Sequence, residues 1–174
     1  VINTLQVDKK FIPDMKNILF LSDSFTDEKT FKISNVSQDL DGIKFTLSYN
    51  KKSYELKAPI YGLHQANNIS LAFIMALQLG IPAETIKASL LTLKQVEHRL
   101  EVKKQPNGIT IIDDGFNSNV DGFISALDTL KTLSKNGRAI LITPGMVELG
   151  AKHKEQHIKV AKYALKTCDI VIAV

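Results

Sequence analysis

Two carboxylates and two asparagine amides crowd into the seven residues Asp113-Asp114-Gly115-Phe116-Asn117-Ser118-Asn119. This segment follows the apolar run Ile109-Thr110-Ile111-Ile112 and precedes a helical pattern that starts near Val120. A strand that ends in polar groups and turns into a helix puts those groups at the carboxyl edge of a sheet. In open α/β folds that edge binds ligands. Carboxylates there suit ribose hydroxyls, amides suit bases, sugars or phosphates, and the helix N-terminus favours anions. The plainer alternative is a capped helix after a strand, because Asp and Asn favour N-caps. Four such residues exceed what one cap needs.

Three other segments could carry chemistry. Gly62-Leu63-His64-Gln65-Ala66-Asn67-Asn68 opens an apolar helical stretch. His64 and Asn68 are four apart and so share a helix face, where an imidazole and an amide could flank a flat base. The alternative is a polar first turn. Glu97-His98-Arg99-Leu100-Glu101 lies between a helix and a strand. An Arg at such a junction can fork onto a phosphate, or belong to a surface ion-pair cluster. Gly145-Met146-Val147-Glu148-Leu149-Gly150 is a glycine-bounded loop, expected at the same sheet edge as Asp114. Glu148 there contacts a substrate amine or caps the next helix. His153 and His157 are four apart, but Glu155 is out of place for H-E-x-x-H and no third ligand lies near, which disfavours zinc. No G-x-x-x-x-G-K-[ST] phosphate loop occurs anywhere in the chain.

Bulk properties narrow the classes. A length of 174 residues suits one large domain or two small ones. Hydrophobic content of 44% and charged content of 23% are ordinary for a soluble globular protein. No apolar run approaches the ~20 residues of a membrane helix, and the N-terminus lacks the pattern of a signal peptide. The chain starts without Met and stops on an apolar strand, so it is expected to be a fragment. Its one cysteine, Cys168, is expected to be buried, which fits a reducing cytoplasm and no internal disulfide. The net charge of +4 comes from dispersed lysines, and aromatics make up only 7%. A nucleic-acid groove wants clustered cations with interleaved aromatics. A mildly basic surface can still attract a polyanionic substrate.

The elements that must position these groups follow from hydropathy. Ile18–Leu21, Thr30–Ile33, Ile43–Leu47 and Tyr54–Ala58 have strand character, the last two joined by a turn at Asn50-Lys51-Lys52. Gln65 to Leu79 is apolar around most of its circumference and is expected to be a well-buried helix stopped by Gly80. Pro82 starts a second helix, with Ile86, Leu90, Leu91 and Leu93 on its face. Leu100–Lys104 and the strand to Asp113 flank a tight turn at Pro106-Asn107-Gly108. A helix carrying Phe123, Ala126, Leu127 and Leu130, ended by Asn136-Gly137, leads to Ala139–Ile142, which is expected to be a buried parallel strand. A helix with Ile158, Ala161 and Leu165 leads to a last strand. Strands alternating with helices point to a parallel α/β sheet from about residue 97.

In order and spacing, the four segments resemble the Mur ligases, the ATP-dependent amide-forming enzymes of peptidoglycan precursor synthesis. The family pattern runs G-x-H-N-x-x-N, G/H-R-x-E, D-D-S-Y-N-A-N and G-D-M-x-E-L-G with a later His, here met by His157. Gln65, Gly115, Phe116 and Pro144-Gly145 depart from it. The resemblance implies an α/β chain in which residues 1–96 end a P-loop-type central domain of β-hairpins and helices. Residues 97–174 would be an incomplete Rossmann-like C-terminal domain. It implies that His64 and Asn68 face adenine, that Arg99 reaches the ATP phosphates and is the catalytic residue, and that Asp114 holds the ribose. Asn117 and Asn119 would shape the same pocket, with Phe116 and Glu148 in a substrate loop. It further implies ATP, and Mg2+ whose ligands lie outside these residues. UDP-MurNAc-tripeptide and D-Ala-D-Ala are the implied substrates of a cytoplasmic, monomeric enzyme, with no membrane span and no nucleic-acid partner. The 174 residues alone are expected to be inactive. The alternatives are a related ligase (tripeptide-forming, folylpolyglutamate or cyanophycin type), which the Asn117-Ser118-Asn119 run disfavours, and a non-catalytic nucleotide-binding module.

Overall fold

Alternating apolar residues between Thr30 and Ala58 assemble most of the first sheet. The computed structural model describes residues 2–3, 19–24, 28–116, 119–135 and 137–174. The chain divides into two units, Val1–Lys94 and Gln95–Val174.

In the first unit, β1 (Ile2–Asn3), β2 (Phe20–Ser22), β3 (Thr30–Asp39), β4 (Gly42–Tyr49) and β5 (Lys52–Ala58) form one sheet in that order. The first three strands run parallel, and β3, β4 and β5 are antiparallel. Phe31, Ile33, Ile43, Phe45, Leu47 and Leu56 point inward and are each at most 4% exposed. Ile69, Phe73 and Ile74 of α1 (Gln65–Gln78) and Ile86 and Leu90 of α2 (Ala83–Leu90) close the core over them. The β4–β5 turn works because Asn50 and Lys51 both take positive φ, 46° and 61°, which matches the twist of a two-residue hairpin. Gly42 is obligatory: at φ 111° a Cβ would lie 2.2 Å from the Ala58 carbonyl oxygen.

The third strand does not stop at Ile33. It continues to Asp39 through a register shift between Ser34 and Ser37, where Asn35 has φ 53°. The first helix is buried on one stripe only, and Met75 and Leu79 are 50% and 78% exposed. The second helix ends at Leu90, so Leu91 and Leu93 fall beyond its buried face and are exposed. Ile18 lies outside the described residues.

In the second unit, β6 (Glu101–Lys104) and β7 (Thr110–Asp113) make an antiparallel hairpin. Its loop is a three-residue one: Gln105 N–H donates to the Ile109 carbonyl, and only Gly108, at φ 84°, is left-handed. Then come α3 (Val120–Leu133), β8 (Ile140–Thr143), a 3₁₀ turn (Gly150–Lys152), α4 (His153–Thr167) and β9 (Ile170–Ala173). β8 and β9 pair in parallel, Ile140 opposite Ile170, across the α4 crossover. This is the α/β arrangement that the alternation implies. Leu127, Met146, Val160 and Ala164 are its buried centre.

The face of α4 differs from the expected one. Val160 and Ala164 are buried, whereas Ile158 and Leu165 are 46% and 75% exposed and Ala161 is exposed too. Helical spacing allows either stripe, and the packing of Tyr163 onto α3, with its hydroxyl donating to Asp128, selects the first. The apolar run in β8 is half-covered rather than buried. Leu141 faces the helices, and Ile140 and Ile142 are 45% and 65% exposed. Among the described residues β6–β7 and β8–β9 are separate two-stranded sheets, so Asp114 and the Gly145 loop do not share a sheet edge. The α3 helix ends at Leu133 with Ser134 as its C-cap, before the expected Asn136-Gly137 stop, and Asn136 lies outside the described residues. Cys168 is only half-buried; burial first, and Asp169 second, raise its thiol above the usual range.

Candidate functional site

Two segments fifteen residues apart, around His98 and Asp113, form one constellation in the second unit. Arg99 sits in a tight loop where its own N–H donates to the Val96 carbonyl, 3.1 Å. Its neighbours His98 and Leu100 both have positive φ, 58° and 53°. Neither is a glycine, so this backbone is held from outside. The other segment supplies the hold. The Leu100 N–H donates to Asp114 Oδ1 at 2.9 Å, and the Phe116 N–H donates to the His98 carbonyl at 3.1 Å. The His98 Nδ1 lies 3.0 Å from Asp113 Oδ2, and the His98 N–H donates to Glu101 Oε2 at 3.3 Å. Gln95 adds a brace, accepting from the Val102 N–H and donating to the Val102 carbonyl.

The electrostatics follow from this packing. Lys103 donates to both Glu101, 2.9 Å, and Asp113, 3.0 Å. The Lys103 hydrogen bond, then the one from His98, hold the Asp113 carboxyl below the usual carboxylate range. The same contacts, Glu101 first and then Asp113, raise the Lys103 ammonium. Arg99 is different. Its guanidinium lies over the Phe116 ring, 4.3 Å from the centroid, and among the described residues it forms no ion pair. An exposed planar cation that stacks on a ring and keeps its edge donors outward can receive a polyanion.

The other expected residues fall elsewhere. Asn119 is the N-cap of α3, and its Oδ1 accepts from the Gly122 N–H at 2.8 Å. Asn117 and Ser118 lie outside the described residues. In the first unit, His64 precedes α1 in a helical conformation and is exposed, and its side chain makes no cap hydrogen bond. Asn68 is also exposed, its amide donating to Gln65 Oε1 at 2.9 Å. Glu148 is exposed with φ 61°. It is not the cap residue of the next helix, since Leu149 opens the 3₁₀ turn and Lys152 opens α4.

His157 has a role that its spacing to His153 did not reveal. Its Nε2 accepts from the Met146 N–H at 2.9 Å. Its Nδ1 lies 2.9 Å from the His153 carbonyl, so the ring is assigned as the Nδ1–H tautomer. Both nitrogens are used to latch the Gly145 loop to α4. Gly145 must be a glycine, because at φ 88° a Cβ would lie 2.7 Å from that Nε2. Gly145-Met146, with a His on the helix that follows, is the signal in the sequence. The close approach that gives it meaning is tertiary.

Residues 98–174, which contain this constellation, match the family of the Mur ligase glutamate ligase domain. Residues 98–174 of this chain belong to the Mur ligase family. Two curated Mur ligases similar to the chain are UDP-N-acetylmuramoyl-tripeptide--D-alanyl-D-alanine ligases. The one from Buchnera aphidicola (subsp. Acyrthosiphon pisum) is 34% identical over 142 residues, 81% of this chain and 30% of the relative. The one from Escherichia coli K12 is 29% identical over 134 residues, 77% of this chain and 29% of the relative. The chain thus spans just under a third of the length of these Mur ligases. Among solved structures, MurF from Acinetobacter baumannii superposes with a TM-score of 0.74 at 21% identity, covering 89% of this chain and 33% of that one. MurF from Thermotoga maritima in complex with ADP superposes at 0.72, also at 21% identity, covering 88% and 34%. These likenesses establish a shared Mur ligase fold.

Proposed function

We propose that this chain is part of an ATP-dependent ligase that joins D-Ala-D-Ala to UDP-MurNAc-tripeptide. The observation that carries the reading is the loop in which Asp113, Asp114 and Phe116 hold Arg99 outward as a cation without an ion-pair partner among the described residues. In this proposal residues 1–96 end the central ATPase domain and residues 97–174 belong to the C-terminal domain. The curated relatives named for this reaction, and the ADP bound to a solved neighbour, support the choice of substrates and nucleotide.

The side chains fit a nucleotide chemically. Arg99 offers edge N–H donors suited to phosphate oxygens, and Asp114 offers carboxylate oxygens suited to ribose hydroxyls. His64 and Asn68 present an imidazole and an amide suited to a base. Asn119 caps α3, and in this proposal Asn117 and Asn119 shape the nucleotide pocket while Glu148 belongs to a substrate loop. Arg99 and Asp114 of the second unit would hold ATP, with Mg2+ bound by residues outside these 174. ATP would give its terminal phosphoryl group to the tripeptide carboxylate and leave as ADP, and the dipeptide amine would then displace phosphate to form the amide. These residues bind and orient, and Arg99 stabilises charge that develops on the transferred phosphoryl group. Among the described residues no helix is long and apolar enough to cross a membrane, which is compatible with the cytoplasmic location proposed here.

The test uses the full-length protein. Phosphate release that requires both UDP-MurNAc-tripeptide and D-Ala-D-Ala is the expected result. Release that depends instead on a single amino acid, or on a folate, would transfer the chain to another branch. Nucleotide binding without phosphate release would leave a non-catalytic nucleotide-binding module.

A further inference from the structure

Phe116 keeps its ring at the surface, 61% exposed, where burial gives no reason for an aromatic side chain. The Arg99 guanidinium lies over that ring, 4.3 Å from the centroid. The two residues are also tied through their backbones. The Phe116 N–H donates to the carbonyl of His98, which precedes Arg99, and Asp114 accepts from the N–H of Leu100, which follows it. These anchors fix where the Arg99 backbone sits. They do not fix its long stem, and among the described residues the group that meets the guanidinium is the Phe116 ring.

We propose that Phe116 is a positioning residue: its ring is a shelf that orients the Arg99 guanidinium with its edge donors facing the nucleotide phosphates. This rests on the phosphate role proposed for Arg99 above. The two interactions do not compete. Stacking uses the face of the guanidinium, and a forked phosphate contact uses its edge. A Tyr ring would serve equally. A Leu would cover similar area without the quadrupole that attracts a cation. The shelf also differs from a base-stacking role for Phe116, because its effect must pass entirely through Arg99.

That dependence is the test. In the full-length enzyme, steady-state kinetics are compared for wild type, Phe116→Tyr, Phe116→Leu, Arg99→Ala and the Arg99→Ala/Phe116→Leu double variant. Phe116→Leu should lower kcat by about two- to fivefold, the equilibrium range of a surface cation–π contact, with little change in the KM for ATP. Phe116→Tyr should restore wild-type kcat. In the Arg99→Ala background, Phe116→Leu should have almost no further effect, because coupled residues are non-additive. Equal losses in both backgrounds would overturn the shelf, and so would a raised KM for ATP at unchanged kcat. The NMR spectrum of the 174-residue chain gives a second readout that needs no turnover. The Arg99 side-chain protons should be shifted upfield by the ring in wild type and relax toward their usual position in Phe116→Leu. No such shift in wild type overturns the proposal whatever the kinetics show. A full-length protein without ligase turnover but with the ring-current shift would instead remove the ligase reading and, with it, the phosphate half of this inference.

Discussion

Replacing Asp114 with Ala separates two jobs that one carboxylate could hold. Its Oδ1 accepts from the Leu100 N–H at 2.9 Å, and Leu100 is only 7% exposed. Removing the acceptor strands a part-buried donor. A hydrogen bond to a charged group contributes about 1.5–3 kcal/mol, and an unsatisfied buried donor costs a comparable amount. Leu100 is also held at φ 53°, so the loop has a more relaxed conformation available once released. A loss of about 2 kcal/mol is expected for Asp114→Ala. Asp114→Asn should lose about 1 kcal/mol, because an amide oxygen still accepts from the N–H. For a unit of this size each kcal/mol lowers Tm by about 4–8 °C. Urea unfolding of the 174-residue chain gives the stability, and hydrogen exchange at the Leu100 amide gives the local effect. The Ala variant should exchange that amide faster than the Asn variant, and both faster than wild type. If Asp114 serves only as a nucleotide ligand, the chain without nucleotide will not notice either substitution. Unchanged melting and unchanged Leu100 exchange in Asp114→Ala would refute the clamp.

Other expectations follow from the same site. Arg99→Ala in the full-length enzyme should lower kcat about 10²-fold, the scale of losing one preorganised charge-stabilising donor, with a smaller change in ATP affinity. Arg99→Lys should recover little, since an ammonium lacks the planar fork, and steady-state kinetics decide the matter. Gly145→Ala should destabilise the second unit by about 1–3 kcal/mol through its strained backbone, and by more where the Cβ meets His157. His157→Ala removes the latch bond to the Met146 N–H as well as the ring, so Gly145→Ala should cost less in a His157→Ala background than in wild type, as read by thermal melts of the four proteins. Asp113, held low chiefly by Lys103 and then His98, should add stability above its unfolded value of about 4 and lose it as pH falls through the depressed folded value. The urea midpoint should therefore drop on the acid side, and Asp113→Asn should flatten that limb.

Motif chemistry and hydropathy were enough to locate the strand-to-helix segment at Asp113–Asn119, the flanking helices and the β-α-β order of the second unit. These are local properties, carried by apolar periodicity, turn residues and caps, so a one-dimensional reading finds them. The hairpin at Asn50-Lys51 and the parallel pairing of β8 with β9 follow from the same signals. Periodicity could not choose between the two stripes of α4. Both have helical spacing, and the packing of Tyr163 against α3 makes the choice. The turn at Pro106-Asn107-Gly108 did mark β6 and β7 as a hairpin, but nothing local showed that, among the described residues, the β6–β7 and β8–β9 pairs form separate sheets, because an apolar run carries no record of its partner.

The assignment of work within the motifs was also tertiary. In one dimension Asp113, Asp114, Phe116 and Arg99 are four separate candidates for ligand contact. Folding spends Asp113 on His98 and Lys103, ties Asp114 to the Leu100 N–H, and sets Phe116 beneath Arg99. His157 passes in the same way from a possible metal ligand to the latch of the Gly145 loop. The sequence by itself determined which chemical groups this protein has and the order of elements that carry them, because composition and local propensity need no partner. Which groups hold one another, and which one is left facing outward, only the tertiary structure decided, because hydrogen bonds and stacking depend on distances between residues far apart along the chain.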